Sequence, residues 1–334
     1  YKSVDCAKFF FCLCIVFLHT GAVQSLKIDA SEWMITQYIL RLAVPFFFIT
    51  SGFFLGNKLR MVHTDAMYWE TIKKYCLRLL KPLIVFELLN ILLPLFLHIR
   101  HTREDLVEYF CDIIRRIIFY PEGALWYIQA SIIGALLLYL TRKISWKYKL
   151  AGGVLYTGAL ICNTYYGLIQ RCAMQQYVDA YLNTFITARN GLFVGFPFLC
   201  VGTFLGTLID RAIRKELKWL VLGLYIVEVL VAQNIESTDD KALYFMSAPM
   251  AAVLLLQLLQ TDLPVSNAMC RHLRNLSSGI YFLHRIVLQI LILIATRVSL
   301  PQYGICMFFL VTTVSILICE LSYWHGGTIG SLLR

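Results

Sequence analysis

Charged side chains are scarce in this chain. Asp, Glu, Lys and Arg make up 15% of its 334 residues, against about 25% in soluble domains. So little charge cannot cover a water-facing surface of ordinary size, which excludes a soluble globular domain. No Cys-x-x-Cys pair occurs among the 11 cysteines, and most of them (Cys12, Cys14, Cys162, Cys200, Cys306, Cys319) sit inside apolar runs, where a thiol acts as a small hydrophobe. No metal site is therefore expected. Cys111 and Cys172 fall in connectors and are the pair open to a disulfide if their compartment is oxidising. No Gly/Ser linker, low-complexity tract or internal repeat interrupts the chain, so one domain over 1–334 is expected. The first apolar run lacks a small-residue cleavage site, which argues against a signal peptide.

What the chain has in excess is apolar sequence, 59% by composition with a mean hydropathy of +0.69. Spanning the hydrocarbon of a bilayer takes about 20 apolar residues. Runs of that kind cover 4–23, 34–55, 79–97, 123–141, 150–168, 191–210, 219–234, 243–260, 276–298 and 304–324. The seventh is short and the fifth is rich in Gly and Tyr. The predicted fold is an all-α polytopic transmembrane bundle of about ten helices. Basic residues gather in alternate connectors, at Lys58 to Lys81, Arg142 to Lys149, Arg211 to Lys218, and Arg271 with Arg274. The connectors between them carry mixed charge, as at Arg103, Glu104, Asp105 and Glu108. By the positive-inside rule both termini are cytoplasmic. The formal charge of +10 thus belongs to membrane flanks, and nucleic acid is not an expected partner. The longest outer connector, 98–122, has helical periodicity and is read as lying along the membrane surface.

Charge deep in a bilayer costs about 2.5–3.5 kcal/mol on insertion scales, so each such residue needs a reason. In the first run Lys8 and His19 are eleven residues apart, which at 100° per residue brings them to within about 20° of one helix face and about 16 Å apart along the axis. They form either a polar track through the membrane or a snorkelling lysine and a helix-end histidine. Arg41, Glu87, Glu228, His284 and Arg285 are also embedded, with Arg189 and Asn190 before the sixth run. These line the same track or pair structurally, as Arg41 with Glu87. Arg78 and Lys81 share a helix face and suit phosphate, whether of a cofactor or of lipid headgroups. No specific Ser/His/Asp triad can be assembled.

Several stretches resemble the acyltransferase-3 family of membrane proteins. Asp5-Cys-Ala-Lys8 with His19 is similar to its Asp-x-x-(Arg/Lys), ten residues, His motif. Arg41 to Pro45, with Ser51-Gly52-Phe53, resembles its second span. Arg78-x-x-Lys81 is similar to its Arg-x-x-Arg pair, with a lysine that cannot grip phosphate bidentately. Leu125-Trp126-Tyr127-Ile128, Arg189-Asn190-Gly191-Leu192-Phe193 and Ser277-Ser278-Gly279-Ile280-Tyr281-Phe282-Leu283-His284 continue the match in order.

The resemblance implies a bacterial cytoplasmic-membrane enzyme that moves an acyl group, acetyl above all, from cytoplasmic acyl-CoA (acetyl-CoA) to a hydroxyl of an envelope glycan or exported small molecule. Under it, His19 with Asp5 is catalytic, as general base or acyl relay. Lys8, Arg78 and Lys81 hold the CoA. Arg41, Glu87, Trp126, Arg189, Asn190, Tyr281 and His284 face substrate, and Ser277 is a further candidate to line the track. The Arg-Asn-Gly-Leu-Phe branch includes membrane domains of serine/alanine racemases of vancomycin resistance, which implies the alternative of a transport module importing L-serine ahead of a pyridoxal-phosphate racemase domain.

Overall fold

The computed structural model describes residues 1–26, 36–97, 103–121, 123–145, 149, 152–209, 214–238, 241–298, 301–326, 330, 332 and 333. Among them the chain is helical throughout, with no strand. The α-helices are α1 (Lys2–His19), α2 (Ala43–Arg60), α3 (Asp65–Leu97), α4 (Arg103–Phe119), α5 (Trp126–Leu140), α6 (Gly153–Ile161), α7 (Gln175–Phe185), α8 (Phe196–Leu205), α9 (Lys215–Ala232), α10 (Ser247–Leu259), α11 (Asn267–Arg297) and α12 (Ile305–His325). Pro45, Pro197 and Pro249 each lie in the first turn of a helix, where a missing N–H leaves no bond unmade.

Each of the ten apolar runs overlaps one helix, and the two left over, α4 and α7, are amphipathic. Among the described residues, four segments are long and apolar enough to cross a membrane: Thr36–Arg60, Ile113–Leu140, Asn267–Arg297 and Ile305–His325. Gly191–Leu205 and Ser247–Leu259 are shorter apolar helices. This is a multi-pass membrane protein.

The helices differ from the sequence expectation in two informative places. The third was expected over 79–97, but α3 has 33 residues, about 50 Å against a hydrocarbon core of about 30 Å. Lys73, Lys74, Arg78 and Lys81 therefore sit on helix rather than in a connector. The fifth was expected over 150–168, yet regular helix stops at Ile161. Beyond it the backbone bonds sideways: Gly167 N–H donates to Glu236 O at 2.7 Å and Thr238 Oγ1 to Cys162 O at 2.8 Å. The buried Asn163 accepts from Ala242 N–H at 3.2 Å. Polar groups satisfied by a neighbouring segment no longer need the helix.

The chain divides into two compact units: Tyr1–Ala43 with Ile84–Ile99 and Leu258–Arg334, and Val44–Leu83 with Arg100–Gln257. In the first, α1 packs along α11 and α11 along α12. Cys12 Sγ donates to Ser277 O at 3.2 Å and Ser277 Oγ to Lys8 O at 3.2 Å, which fixes the register of α1 on α11. Gly279 brings α12 close, since a Cβ there would lie 2.3 Å from Cys319 Sγ.

In the second unit α2 and α8 meet through two glycine pairs, Gly52-x-x-x-Gly56 and Gly202-x-x-x-Gly206. A Cβ on Gly202 would stand 2.2 Å from Ile49 O, and one on Gly52 2.5 Å from Leu199 O. Glu228 on α9 is satisfied structurally: Tyr165 OH and Phe245 N–H donate to one carboxylate oxygen and Met246 N–H to the other at 2.7 Å. The connector expected to be helical over 98–122 holds α4, over Arg103–Phe119. It exposes Val107, Phe110, Ile114, Ile117 and Ile118 along one face, while Arg115 donates to Thr184 O on α7 at 3.3 Å. Cys111 and Cys172 are both free thiols and exposed.

Candidate functional site

The first unit holds a pair of histidines drawn from opposite ends of the sequence. His19 is the last residue of α1, and α1 is unbroken from Lys2, so Lys8 and His19 do share a face. The His19 ring lies against that of His284 on α11, centroids 5.4 Å apart and planes tilted by 33°. Tyr281, one turn earlier on α11 and buried, stands 6.0 Å from the His284 ring.

His284 is 0% exposed, and its hydrogen bonds fix its chemistry. Nδ1 lies 2.6 Å from Tyr281 O and 3.1 Å from Ile280 O. Carbonyls only accept, so Nδ1 carries the proton, and in the tautomer this selects Nε2 is the lone-pair acceptor. That Nε2 is buried and has no hydrogen-bond partner among the described residues. An unmet buried acceptor costs about 1–3 kcal/mol, so the position is built to receive a donor.

The other predicted residues of this unit are spread along it. Lys8 is half-buried, and its backbone carbonyl takes the Ser277 hydroxyl. Asp5 is 8% exposed and faces Arg274 Nη1 at 3.8 Å. It sits fourteen residues before His19, about 21 Å along the helix, too far to orient that ring directly. Arg41 is half-buried in a single turn of tight helix, Leu40–Leu42, and Glu87 on α3 is 6% exposed beside the stacked rings of Phe86 and Phe282.

The second unit holds the basic pair. Arg78 and Lys81 are exposed on α3, and the Arg78 guanidinium lies 5.7 Å from the Tyr75 ring centre. Below it is a group of hydroxyls that sequence reasoning did not single out. Ser51 Oγ and Tyr127 OH are 3.0 Å apart, and the buried Tyr75 and Ser131 complete the cluster. Ser131 is 0% exposed, and its hydroxyl lies beside the phenols of Tyr75 and Tyr127. Tyr127 and Ser131 are one turn apart on α5, so period 3.6 was the signal that would have joined them.

Trp126 and Arg189 also belong here. Arg189 lies over Tyr120 at 5.5 Å and Trp126 at 5.9 Å, a cation held by two ring faces. Asn190 is a cap. Its Oδ1 accepts from Leu192 and Phe193 N–H at 3.0 and 3.1 Å, and its Nδ2 donates to Tyr181 OH at 2.9 Å. These bonds start the π-helical turn Gly191–Gly195 that leads into α8. Two of its glycines admit α5, since a Cβ on Gly195 would sit 2.2 Å from Ala130 O. Asn190→Ala is expected to cost about 1 kcal/mol, the usual worth of a helix cap, read as a lower melting midpoint in detergent.

The acyltransferase domain model matches residues 1–324, nearly the whole chain. The chain belongs to the acyltransferase-3 family. This acyltransferase-3 protein is also similar to proteins named for another activity. It is 26% identical over 332 residues to an amino-acid racemase of Enterococcus faecalis, covering 96% of this chain and 45% of that one. It is 25% identical over 324 residues to a serine/alanine racemase of Enterococcus gallinarum, covering 94% and 45%. The chain thus spans less than half the length of these relatives. No solved structure matches.

Proposed function

We propose that this acyltransferase-3 protein moves an acyl group, acetyl first among them, from acyl-CoA to a hydroxyl-bearing acceptor at a bacterial cytoplasmic membrane. The observation that carries this reading is the buried Nε2 of His284, which has no donor among the described residues, against the half-buried ring of His19. An acceptor O–H supplies that donor. As its oxygen attacks the thioester carbonyl, an imidazole takes the proton. The C–S bond then breaks, and the proton returns to the departing CoA thiolate. Arg78 and Lys81, exposed at a helix surface, suit the CoA phosphates. Lys8 is proposed as a further cation for the donor, and Asp5 as a positioning residue through Arg274 rather than a partner of His19. Acceptors include envelope glycans and small exported molecules.

A second reading has its own support. The relatives carry the names of racemases, and the chain spans 45% of two of them, as a membrane module within a longer protein would. Under it the same histidines and Arg41 bind a small amino acid such as L-serine for import.

Proteoliposomes holding the purified chain separate the two. Labelled acetyl-CoA with a hydroxyl acceptor should yield labelled ester. Flux of labelled L-serine without ester formation would overturn the enzymatic reading. Within the enzymatic reading, Arg78→Ala with Lys81→Ala is expected to weaken acyl-CoA binding about tenfold or more and acceptor binding little. Equal losses for both ligands would displace the donor from this pair.

A further inference from the structure

The second unit contains a cavity whose lining includes neither residue of the Arg78 pair. Its volume is about 580 Å³, within the roughly 300–1,000 Å³ of small-molecule sites. The ends of α2, α5 and α8 and the start of α3 frame it. Leu59, Leu138, Phe204 and Leu208 give it apolar walls, and Arg60 and Lys149 its charge.

The two cations have no counter-charge among the described residues. Arg60 donates through Nη1 to Thr203 O at 3.0 Å and through Nη2 to Asn57 Oδ1, both neutral acceptors. Lys149 is half-buried, and its ammonium has no ion-pair or hydrogen-bond partner among the described residues. Burial holds its ammonium below the usual lysine range, with Cys200 a smaller opposing influence. Among the described residues no carboxylate lines the cavity. Of the acids flanking Tyr68, Asp65 is already engaged by Arg142 at 3.2 and 3.1 Å and lies 3.9 Å from Lys143, and Glu70 lies 3.6 Å from Lys73. Two cations beside a greasy hollow ask for an anion that brings its own hydrocarbon.

We propose that this cavity is a site for an anionic phospholipid of the leaflet facing the basic connectors. The headgroup phosphate lies between Arg60 and Lys149, and an acyl chain runs along Leu59, Leu138 and Phe204. Basic pockets between membrane helices on the cytoplasmic side take lipid headgroups in this way. The site is independent of the acyl-transfer reading and uses none of its residues.

The test is thermal unfolding of the purified full chain in detergent with added phosphatidylglycerol, phosphatidylcholine, inorganic phosphate or acetyl-CoA. Phosphatidylglycerol should raise the midpoint by roughly 3 °C or more, with phosphatidylcholine and phosphate giving little. Arg60→Gln with Lys149→Gln should abolish that shift. Thr207→Trp, which fills the mouth from an exposed position and spares both cations, should abolish it too without lowering the lipid-free midpoint. An equal shift from phosphatidylcholine or phosphate overturns the proposal, as does a phosphatidylglycerol shift that survives both variants. A shift from acetyl-CoA lost in the same variants would make the cavity a donor site and overturn it. Asp210, just beyond Leu208 in sequence, lies outside the described residues. A lipid response seen only in Asp210→Asn would make that carboxylate the native counter-ion and sink the lipid site.

Discussion

His19→Ala is expected to lower turnover of labelled acetyl-CoA by at least about 10²-fold, the lower bound for removing a positioned acid–base group. The protein should remain in the membrane at its normal level. His19 ends α1 and is only half-buried, so truncation removes a ring rather than a core, and the α1–α11 register stays fixed by Cys12, Ser277 and Lys8. His284→Ala is a different experiment. It opens a hollow at a fully buried position and removes the acceptor at Nε2 together with the bonds to Tyr281 O and Ile280 O. On the proposed reading the two rings act on one proton, and the double variant should then be little worse than the poorer single one, since residues that work as a unit are strongly non-additive. Additive losses would mean two separate roles. Turnover within about twofold of normal in His19→Ala would remove the histidine pair from the chemistry altogether.

The sequence shows the membrane architecture and only part of the site, for a physical reason. Apolar runs are local, and each of the ten overlaps a helix, though only four segments among the described residues are long and apolar enough to cross a membrane. His19 and Lys8 fall on one face because helical phase is also local. The meeting of His19 with His284 joins residues from α1 and α11, and no periodicity predicts it. Asn190 looked like a substrate ligand because an Asn ahead of an apolar run is polar in an apolar place. The structure spends its oxygen and its amide group on the π-helical turn and Tyr181. Capping chemistry, Asn followed by an apolar helix, was there to be read. Glu228 is a similar case, an embedded carboxylate whose partners are a phenol and two backbone N–H groups of distant segments. The span lengths were less legible, because tertiary bonds from 236–242 end the fifth helix early and α3 extends past the apolar run that marks it.

The glycine pairs carry the other large effect. Gly202→Leu is expected to abolish recovery of folded protein, and Gly202→Ala to lower the melting midpoint by several degrees, overpacking of this kind costing about 1–3 kcal/mol. A Cβ at Gly202 meets backbone on two sides, Ile49 O at 2.2 Å and the Gly52 Cα at 2.8 Å. Backbone cannot rotate aside as a side chain can, so α2 and α8 must part. Their separation sets where Ser51 stands, and Ser51 Oγ meets Tyr127 OH at 3.0 Å. Packing and the hydroxyl cluster should therefore fail together. In lipid, close backbone approach supplies the association that the hydrophobic effect supplies in water, which is why small residues four apart mark such contacts. Gly223 is the control, with nothing within 4 Å of a Cβ built there. Gly223→Ala should hold or raise the midpoint, because Ala favours helix by about 0.8–1.0 kcal/mol over Gly. If Gly202→Ala and Gly223→Ala melt alike, the α2–α8 contact is not what holds this unit together.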